Sequence, residues 1–586
     1  MNARAVEPLL WPSAAELTLP GSKSEANRML VVAALSGQQV TVHGATPSDD
    51  VRHLVRGLAT LGFEAAFVDE GRGVVRVGPR GDRVPSGGEI FCGNAGTALR
   101  FLVSVAAITP GEWTITGDDA MQRRPIGPLV AAWQKLGAEI EDTNGCPPVR
   151  VRCRGVPRGG RVRMAADVSS QFVSSLLLVG ASLTEGLDVE FAGEPVSPGY
   201  VELTRKLIEQ CGVRVAVRAR GIAVAAGYGA VPKELDVRGD WSSAGVWVCL
   251  DHLTRSRVVW SNHAVRTGQP DEGLFFRVKK IPPTGDRTID VGTMPDQFMN
   301  LAIVAAHRAG TTRLVGGTNL RKKECDRIAV MARELRKAGV DVDELADGLV
   351  VRGGRPLLPA VIDPENDHRV AMAFAMAGLM SPGIAIADAE CVAKSYPGFW
   401  SDLETVRTQR RCVAVVGMRG AGKSTFARAL AERTGSAWSD TDARFVAEHG
   451  PIDAFVAEHG WDAFRRHEGD LVRSGIAAGA VLGLGGGAIE TRDVRRALAS
   501  CLVVWLDGDA ALLRSRIATD TKSRPSVTGA PVLDEIGTLL ARRNPRYAEV
   551  ASVRIDAALT TEQQVDIALR ELGHPCRWPG KSSSEP

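Results

Sequence analysis

The chain has 586 residues, 44% hydrophobic and 24% charged, the balance of a globular protein with two to four domains, and its net charge of +3 is too small to imply a nucleic-acid partner. Its ten cysteines form no C-x-x-C pair and no Cys/His ligand spacing, which argues for reduced thiols and against structural zinc. The start, MNARAVEPLLWP, has no signal-peptide core and no apolar run is long enough to cross a bilayer, so a cytoplasmic protein without a membrane partner is expected.

Along the first 400 or so residues one local pattern recurs, a helix that ends in glycine and feeds an alternating strand. It reads LGFEA at Leu61, LGAEI at Leu136, CGVRV at Cys211 and AGVDV at Ala338, and Gly62, Gly137 and Gly212 are each 75 residues apart. A second pattern, a polar cluster opening an apolar helix, occurs six times, beginning at Gly21, Gly93, Ser169, Asp240, Pro295 and Asn366. Capping accounts for the Ser, Asp and Asn in these clusters. It does not account for Lys23, Arg28, Arg100, His368 and Arg369, because cations oppose the dipole at a helix N-terminus; an anionic ligand reconciles them.

About ten polar residues, SDLETVRTQR, then link this region to VAVVGMRGAGKST at Val413 to Thr425. The order is strand, glycine-rich turn, helix, and the spacing fits the phosphate-binding loop G-x-x-x-x-G-K-[ST]. In that motif the backbone around Gly417, Gly420, Ala421 and Gly422 cradles phosphates, Lys423 meets the transferred phosphate, and Ser424, followed by Thr425, is placed to hold Mg²⁺. The following 160 residues or so suffice for one small kinase. Within them VAEHG occurs twice, at Val446 and Val456; His449 and His459 are ten residues apart, which is the wrong spacing for a metal site. The end, from 574 to 586, is polar and proline-rich and is expected to be disordered.

The motifs LPGSKSEANR, CGNAGTALRFL, MQRRPIG, DVSSQF, NLRKKECDR, DHRVAMAFA and AKSYPGFW, in that order, resemble those of 5-enolpyruvylshikimate-3-phosphate synthases over about residues 10 to 402. The resemblance implies an α/β transferase of six βαβαββ units in two halves, half one from 1–21 and 234–404 and half two from 22–233. A cleft between the halves would close on phosphoenolpyruvate and shikimate 3-phosphate, without a cofactor. It places Lys23, Asn94, Gly96, Arg124, Arg327, Arg369 and Lys394 at phosphoenolpyruvate, and Lys23, Ser24, Arg28, Ser169, Ser170, Gln171, Ser197, Tyr200, Asp296, Asn319 and Lys323 at shikimate 3-phosphate. Arginine suits such ligands because its planar fork meets carboxylate and phosphate bidentately. Asp296 and Glu324 match the catalytic pair with Lys23 beside them; whether Glu324 or Lys23 protonates C3 of phosphoenolpyruvate stays open. Three positions depart from the pattern: Glu25 and Ala26 where a small residue and serine are expected, and Arg123 where an acid is common. Ala26 removes a hydroxyl expected to reach the substrate phosphate. The sister UDP-N-acetylglucosamine enolpyruvyl transferases carry a cysteine in the loop corresponding to 118–127, and none is present here.

After the phosphate loop, SDTDARF, DAFRRHE, LGLGGGAI, KSRPSV and RRNPRYAEV resemble shikimate kinase over about residues 411 to 572. The resemblance implies a P-loop α/β/α domain of the nucleoside-monophosphate-kinase type over 410–573, using ATP with Mg²⁺. It places Asp442, Arg465, Gly485, Gly486, Gly487 and Arg543 at shikimate, Asp442 also as base, Arg524 on a lid over ATP and Asp440 in the outer shell of the metal. The expected protein is a bifunctional enzyme acting on small molecules of the shikimate pathway. The alternatives are a regulatory or scaffold protein with one inactive domain, and a UDP-N-acetylglucosamine-type transferase fused to a small-molecule kinase.

Overall fold

The computed structural model describes residues 3–9, 11–81, 85–165, 169–193, 196–262, 267–519 and 526–573. Arg524 and the tail from 574 to 586 lie outside the described residues.

The glycine-ended helices form as their pattern requires. Gly62, Gly137, Gly212 and Gly339 have φ of 94°, 86°, 76° and 80°, a left-handed backbone open to glycine without strain. Each feeds a strand, Phe63–Asp69, Glu139–Thr143, Val215–Arg218 and Asp341–Leu345 respectively. Each of these strands is the edge of a four-stranded sheet with one pairing scheme. In the clearest case Gly87–Phe91 runs parallel to Gly111–Thr116, which pairs antiparallel with Cys146–Cys153, which pairs antiparallel with Glu139–Thr143.

The sheet that ends in Phe63–Asp69 relocates the boundary between the halves. Its first strand is Glu234–Asp236, parallel to Val40–His43, so residues 234–236 belong to half two rather than half one. The chain crosses between halves at Gly21 and returns at Gly239, and these two residues form an antiparallel bridge. In half one, two of the six units are reduced among the described residues: one sheet has three strands and another two, and Arg4–Ala5 and Glu16–Leu17 enter them as two-residue strands.

Each half is filled by three helices. Lys23–Leu35, Gly96–Ala107 and Ser170–Gly180 occupy half two, and Trp241–Thr254, Phe298–His307 and His368–Gly378 occupy half one. They are buried almost all round, which is why their sequences lack a polar stripe. Side chains cap only two of the six: Ser169 accepts from the Gln171 N–H and Asp367 from the Arg369 N–H. The other four have no side-chain cap, so capping does not explain their polar clusters.

The C-terminal domain is a five-stranded parallel sheet in the order Trp438–Asp440, Val481–Gly483, Val413–Gly417, Leu502–Asp507, Val553–Asp556. Its duplicated VAEHG is a duplicated helix end. Gly450 (φ 80°) closes the helix Thr441–His449, and Gly460 (φ 79°) breaks the helix Ile452–Ala477. The phenylalanines that precede the two copies, Phe445 and Phe455, meet edge-to-face at 5.0 Å.

The linker differs from a polar tether. Residues 401–408 continue the helix Phe399–Thr408, whose Leu403 and Val406 are buried in the core of half one. The two domains are then stitched directly. The Arg411 N–H donates to Pro12 O at 2.8 Å, and the Arg411 guanidinium donates to Arg255 O on one side (2.7 Å) and to Ser500 O (3.0 Å) and Cys501 O (3.1 Å) on the other. Trp11, from the N-terminal segment, is 4% exposed and packs within the core of the C-terminal domain.

Candidate active sites

Between the two halves lies a cleft whose walls are polar on both sides. Half two contributes Lys23, Ser24, Arg28, Gly96, Arg124, Ser169, Ser170, Gln171, Ser197 and Tyr200, and half one contributes Asp296, Asn319, Lys323, Glu324, Arg327 and Arg369. Helix N-termini bring several of these together: Lys23 opens one buried helix, Gly96 a second and Ser170 a third, and Arg369 is the second residue of a fourth. Gly96 lets two guanidinium groups approach the helix start, since a Cβ there would lie 2.7 Å from Arg100 Nη1 and 2.8 Å from the Arg124 guanidinium carbon.

The cations and carboxylates of the cleft are interlocked. Arg327, 1% exposed, donates to Asp296 (3.0 Å), Glu324 (2.9 Å) and Asp367 (2.7 Å). Arg369 donates to Asp296 Oδ2 at 3.0 Å, and Lys394, just behind the wall, donates to Glu324 Oε1 at 3.0 Å. Arg124 lies 3.9 Å from Glu324 and donates to Asn94 Oδ1 at 3.2 Å. Lys23 pairs with the buried Asp50 at 3.1 Å.

This crowding sets the ionisation of the carboxylates. Burial raises the Asp296 carboxyl, but Arg369, Lys323 and Arg327 outweigh it and hold Asp296 well below the usual carboxylate range. Burial likewise opposes ionisation of Glu324, and Lys394, Arg327 and Arg124 again prevail. Asp271, deeper in the wall, is pushed up to about 6 by burial and the neighbouring Asp296 charge. Neither ring nitrogen of His368 has a hydrogen bond among the described residues, and Nδ1 lies 3.8 Å from Asp367; burial first, then Lys23, Arg369 and Lys394, hold the ring well below its ordinary value and keep it neutral.

In the C-terminal domain the phosphate loop leaves the strand Val413–Gly417 and enters the helix Lys423–Thr434. Gly417, Gly420 and Gly422 have φ of 147°, 80° and 89°. Lys423 Nζ donates to Met418 O across the loop at 3.0 Å, and Ser424 Oγ donates to Asp440 Oδ2 at 2.5 Å. Gly485 to Gly487 press against a second group. A Cβ on Gly485 would collide with Glu468 and Asp442, and one on Gly487 with Arg465. Arg465 donates to Glu468 at 2.5 Å, Arg543 donates to Glu490 at 2.6 Å, and Tyr547 donates to Gly486 O at 2.6 Å.

The family model described as EPSP synthase (3-phosphoshikimate 1-carboxyvinyltransferase) matches residues 12–281 and 275–403, more than half of the chain. The chain belongs to the EPSP synthase family. Behind that EPSP synthase domain, residues 419–572 match the shikimate kinase model, so the chain carries both enzyme domains. Among its relatives, the pentafunctional AROM polypeptide of Komagataella phaffii is 32% identical over 612 residues, covering 92% of this chain and 39% of the relative. That of Saccharomyces cerevisiae is 32% identical over 561 residues, covering 82% of this chain and 35% of the relative. The chain thus spans about two-fifths of the length of the curated relatives it matches. An EPSP synthase structure from Acinetobacter baumannii is 25% identical with a TM-score of 0.57, covering 70% of this chain and 99% of that one.

The EPSP synthase cleft is lined by the residues that its motifs nominate except Asn94, which meets Arg124, and Lys394, which meets Glu324 from behind. Arg28 spends most of its donors inside half two, on Thr204 (2.7 Å), Ser24 O (2.7 Å), Ser174 (3.2 Å) and Tyr200 O (3.3 Å), so it braces the wall more than it faces a ligand. Ala26 is fully buried in the hydrophobic cluster of half two, so its side chain packs in the core instead of facing the cleft. Sequence reasoning missed Asp50, Asp271 and the pairing of Asp367 with Arg327, because these contacts are tertiary; Asp50 had the signature of an ordinary acid in a helix first turn and Asp367 that of an N-cap. In the kinase domain it missed Glu468 and Glu490. The three-residue spacing from Arg465 to Glu468 within one helix was the signal available.

Proposed function

We propose that this protein phosphorylates the 3-hydroxyl of shikimate with ATP and then transfers the enolpyruvyl group of phosphoenolpyruvate to the 5-hydroxyl of shikimate 3-phosphate. The observation that carries this reading is the cleft lined by Lys23, Arg124, Arg327 and Arg369, in which the carboxylates of Asp296 and Glu324 meet Arg327, Arg369 and Arg124, with Lys394 pairing Glu324 from behind the wall, on one chain with a separate phosphate loop. The product of the second site is the substrate of the first.

In the cleft, Asp296 is kept ionised and takes the proton of the 5-hydroxyl as its oxygen bonds to C2 of phosphoenolpyruvate. C3 gains a proton from Glu324 or Lys23, giving a tetrahedral ketal; the same group then takes a proton back from C3 as the bond from C2 to the phosphate oxygen breaks, leaving the enolpyruvyl ether and releasing phosphate. Without ligand, Glu324 is held ionised by Lys394, Arg327 and Arg124. Phosphate and carboxylate groups of the substrates draw on those same cations. Their binding releases Glu324 upward, toward the range of a proton donor, and Lys23 supplies the second route for that proton. Arg124, Lys394, Asn94 and Gly96 hold the phosphoenolpyruvate anion, and Ser169, Ser170, Gln171, Ser197, Asn319 and Lys323 hold shikimate 3-phosphate.

In the kinase domain, Asp442 takes the proton of the 3-hydroxyl, and Arg465 and Arg543 hold the shikimate carboxylate while the glycines at 485–487 admit the ring. Lys423 and the loop amides hold the transferred phosphoryl group. Ser424 and Asp440 fit Mg²⁺, because this ion takes one or two protein oxygens and completes its shell with water and phosphate. When bound with ATP it neutralises phosphate charge; Ser424 would hold it and Asp440 its outer shell.

The nine described cysteines are all free thiols, in keeping with a reducing compartment, and we assign the protein to the cytoplasm. Among the described residues no helix is long and apolar enough to cross a membrane. The functional reading is tested by Lys423→Ala. It should abolish ATP-dependent phosphorylation of shikimate while the variant still converts supplied shikimate 3-phosphate and phosphoenolpyruvate; loss of both activities contradicts two independent sites.

A further inference from the structure

Glu25 departs from its family's motif, and its surroundings give the departure a purpose. The side chain is fully buried, in the first turn of the helix that Lys23 opens. A carboxylate withdrawn from water is strongly destabilising unless it is paired and hydrogen-bonded. Here it accepts from the backbone N–H of Arg238 (3.1 Å), from the Arg238 guanidinium at Nε (3.2 Å) and Nη2 (2.7 Å), and from Gln269 Nε2 (3.1 Å).

These partners sit at the return crossing between the halves. Arg238 immediately precedes Gly239, which is bridged to Gly21; around that bridge Ser22 N–H donates to Arg238 O at 2.7 Å and Asp240 N–H to Pro20 O at 2.9 Å. Gln269 belongs to half one. Its Nε2 also donates to Gly239 O (3.0 Å), and its Oε1 accepts from the Trp241 N–H (2.9 Å) at the start of a half-one helix. The next residue, Ser242, donates to Asp271, which lies 3.5 Å from the Tyr200 hydroxyl. The network therefore runs from the Lys23 helix of half two, through the hinge, to the half-one wall that carries Asp271 and Asp296.

We propose that Glu25 is a positioning residue for the transferase reaction, clasping Arg238 and Gln269 across the hinge and so holding the closed arrangement in which Lys23 and Asp296 face one cleft. The inference rests on the transferase reading above. Its kinetic consequence is specific. If the clasp only favours closure, its loss lowers the population of the closed form, and apparent affinity falls by that fraction. Saturating substrates, which touch both halves, restore closure and with it kcat.

The test is Glu25→Gln in the full chain, with kinase activity as the internal measure of folding. We expect the KM of the transferase for phosphoenolpyruvate and shikimate 3-phosphate to rise about 10-fold, kcat to change less than about 2-fold, and kinase activity to stay at the wild-type level. Small-angle scattering should find the ligand-free variant more extended than wild type and equal to it with both substrates bound. Arg238→Ala should give the same KM shift, and the double variant should be no worse than either single one. Wild-type KM values in Glu25→Gln, or a fall in kcat at unchanged KM, would overturn the clasp. Absence of transferase activity in the wild-type protein would instead overturn the functional reading on which it rests.

Discussion

The Tyr200 hydroxyl, on half two, donates to Asp296 Oδ2, on half one, at 3.2 Å. This bond spans the cleft, and it directs a donor at the carboxylate proposed as base. A hydrogen bond to a charged group contributes about 1.5–3 kcal/mol, so Tyr200→Phe should lower transferase kcat/KM by roughly 10- to 100-fold. Phosphorylation of shikimate by the same preparation should be unchanged, and steady-state assays of both activities check this.

Removing the base itself is harsher. Asp296→Asn keeps the shape but cannot take a proton, and it also leaves Arg327 and Arg369 short of one anionic partner each. Transferase kcat should fall by about 10²- to 10⁴-fold. Binding of phosphoenolpyruvate, measured by calorimetry, should survive, because the cations that hold it remain.

Glu468 gives the kinase domain a signature in pH. Burial lifts this carboxyl from its usual 4.5 to about 7, against the opposing pull of Arg465. Its protonated form is the one the fold favours, so the folded state binds more protons than the unfolded state between these values. The stability contributed is therefore fully present below about pH 4.5 and is lost as pH rises through about 7. The whole effect is at most about 3 kcal/mol. Glu468→Gln should flatten this part of the stability profile in urea titrations across that range. An unchanged pH slope would show that Glu468 is not its source.

Trp11 links the start of the chain to the stability of its end. It is buried in the kinase-domain core although its chain neighbours Val6 and Leu9 pack in the core of half one. Trp11→Ala should destabilise the kinase domain by about 3–5 kcal/mol, as large-to-small core changes do. On heating, kinase activity should be lost several degrees earlier than in wild type while transferase activity follows its original curve. Equal inactivation temperatures for the kinase in both proteins would exclude this coupling.

Much of the architecture was legible in the sequence because it rests on local signals. The phosphate loop declares itself by spacing, and the glycines at 62, 137, 212 and 339 mark helix ends whose left-handed backbone favours glycine. The VAEHG copies carry a similar local signal, His then Gly at a helix end, but the sequence showed them only as a repeat, and the structure shows the two helix ends. Long-range pairing was not. Nothing local says that Glu25 meets Gln269, that Asp50 meets Lys23, or that Trp11 enters another domain's core. The strand Glu234–Asp236 lay on the wrong side of the expected boundary for the same reason: its partner, Val40–His43, is nearly 200 residues away.

The most direct measurement follows two products in one reaction. Purified protein with shikimate, ATP, Mg²⁺ and phosphoenolpyruvate should release ADP first and inorganic phosphate after a lag, with ADP and phosphate approaching equal amounts. Omitting ATP should stop both, and supplying shikimate 3-phosphate in its place should restore phosphate release alone. ADP formation without subsequent phosphate release, or phosphate release that never responds to shikimate 3-phosphate, would contradict the account of two consecutive sites on one chain.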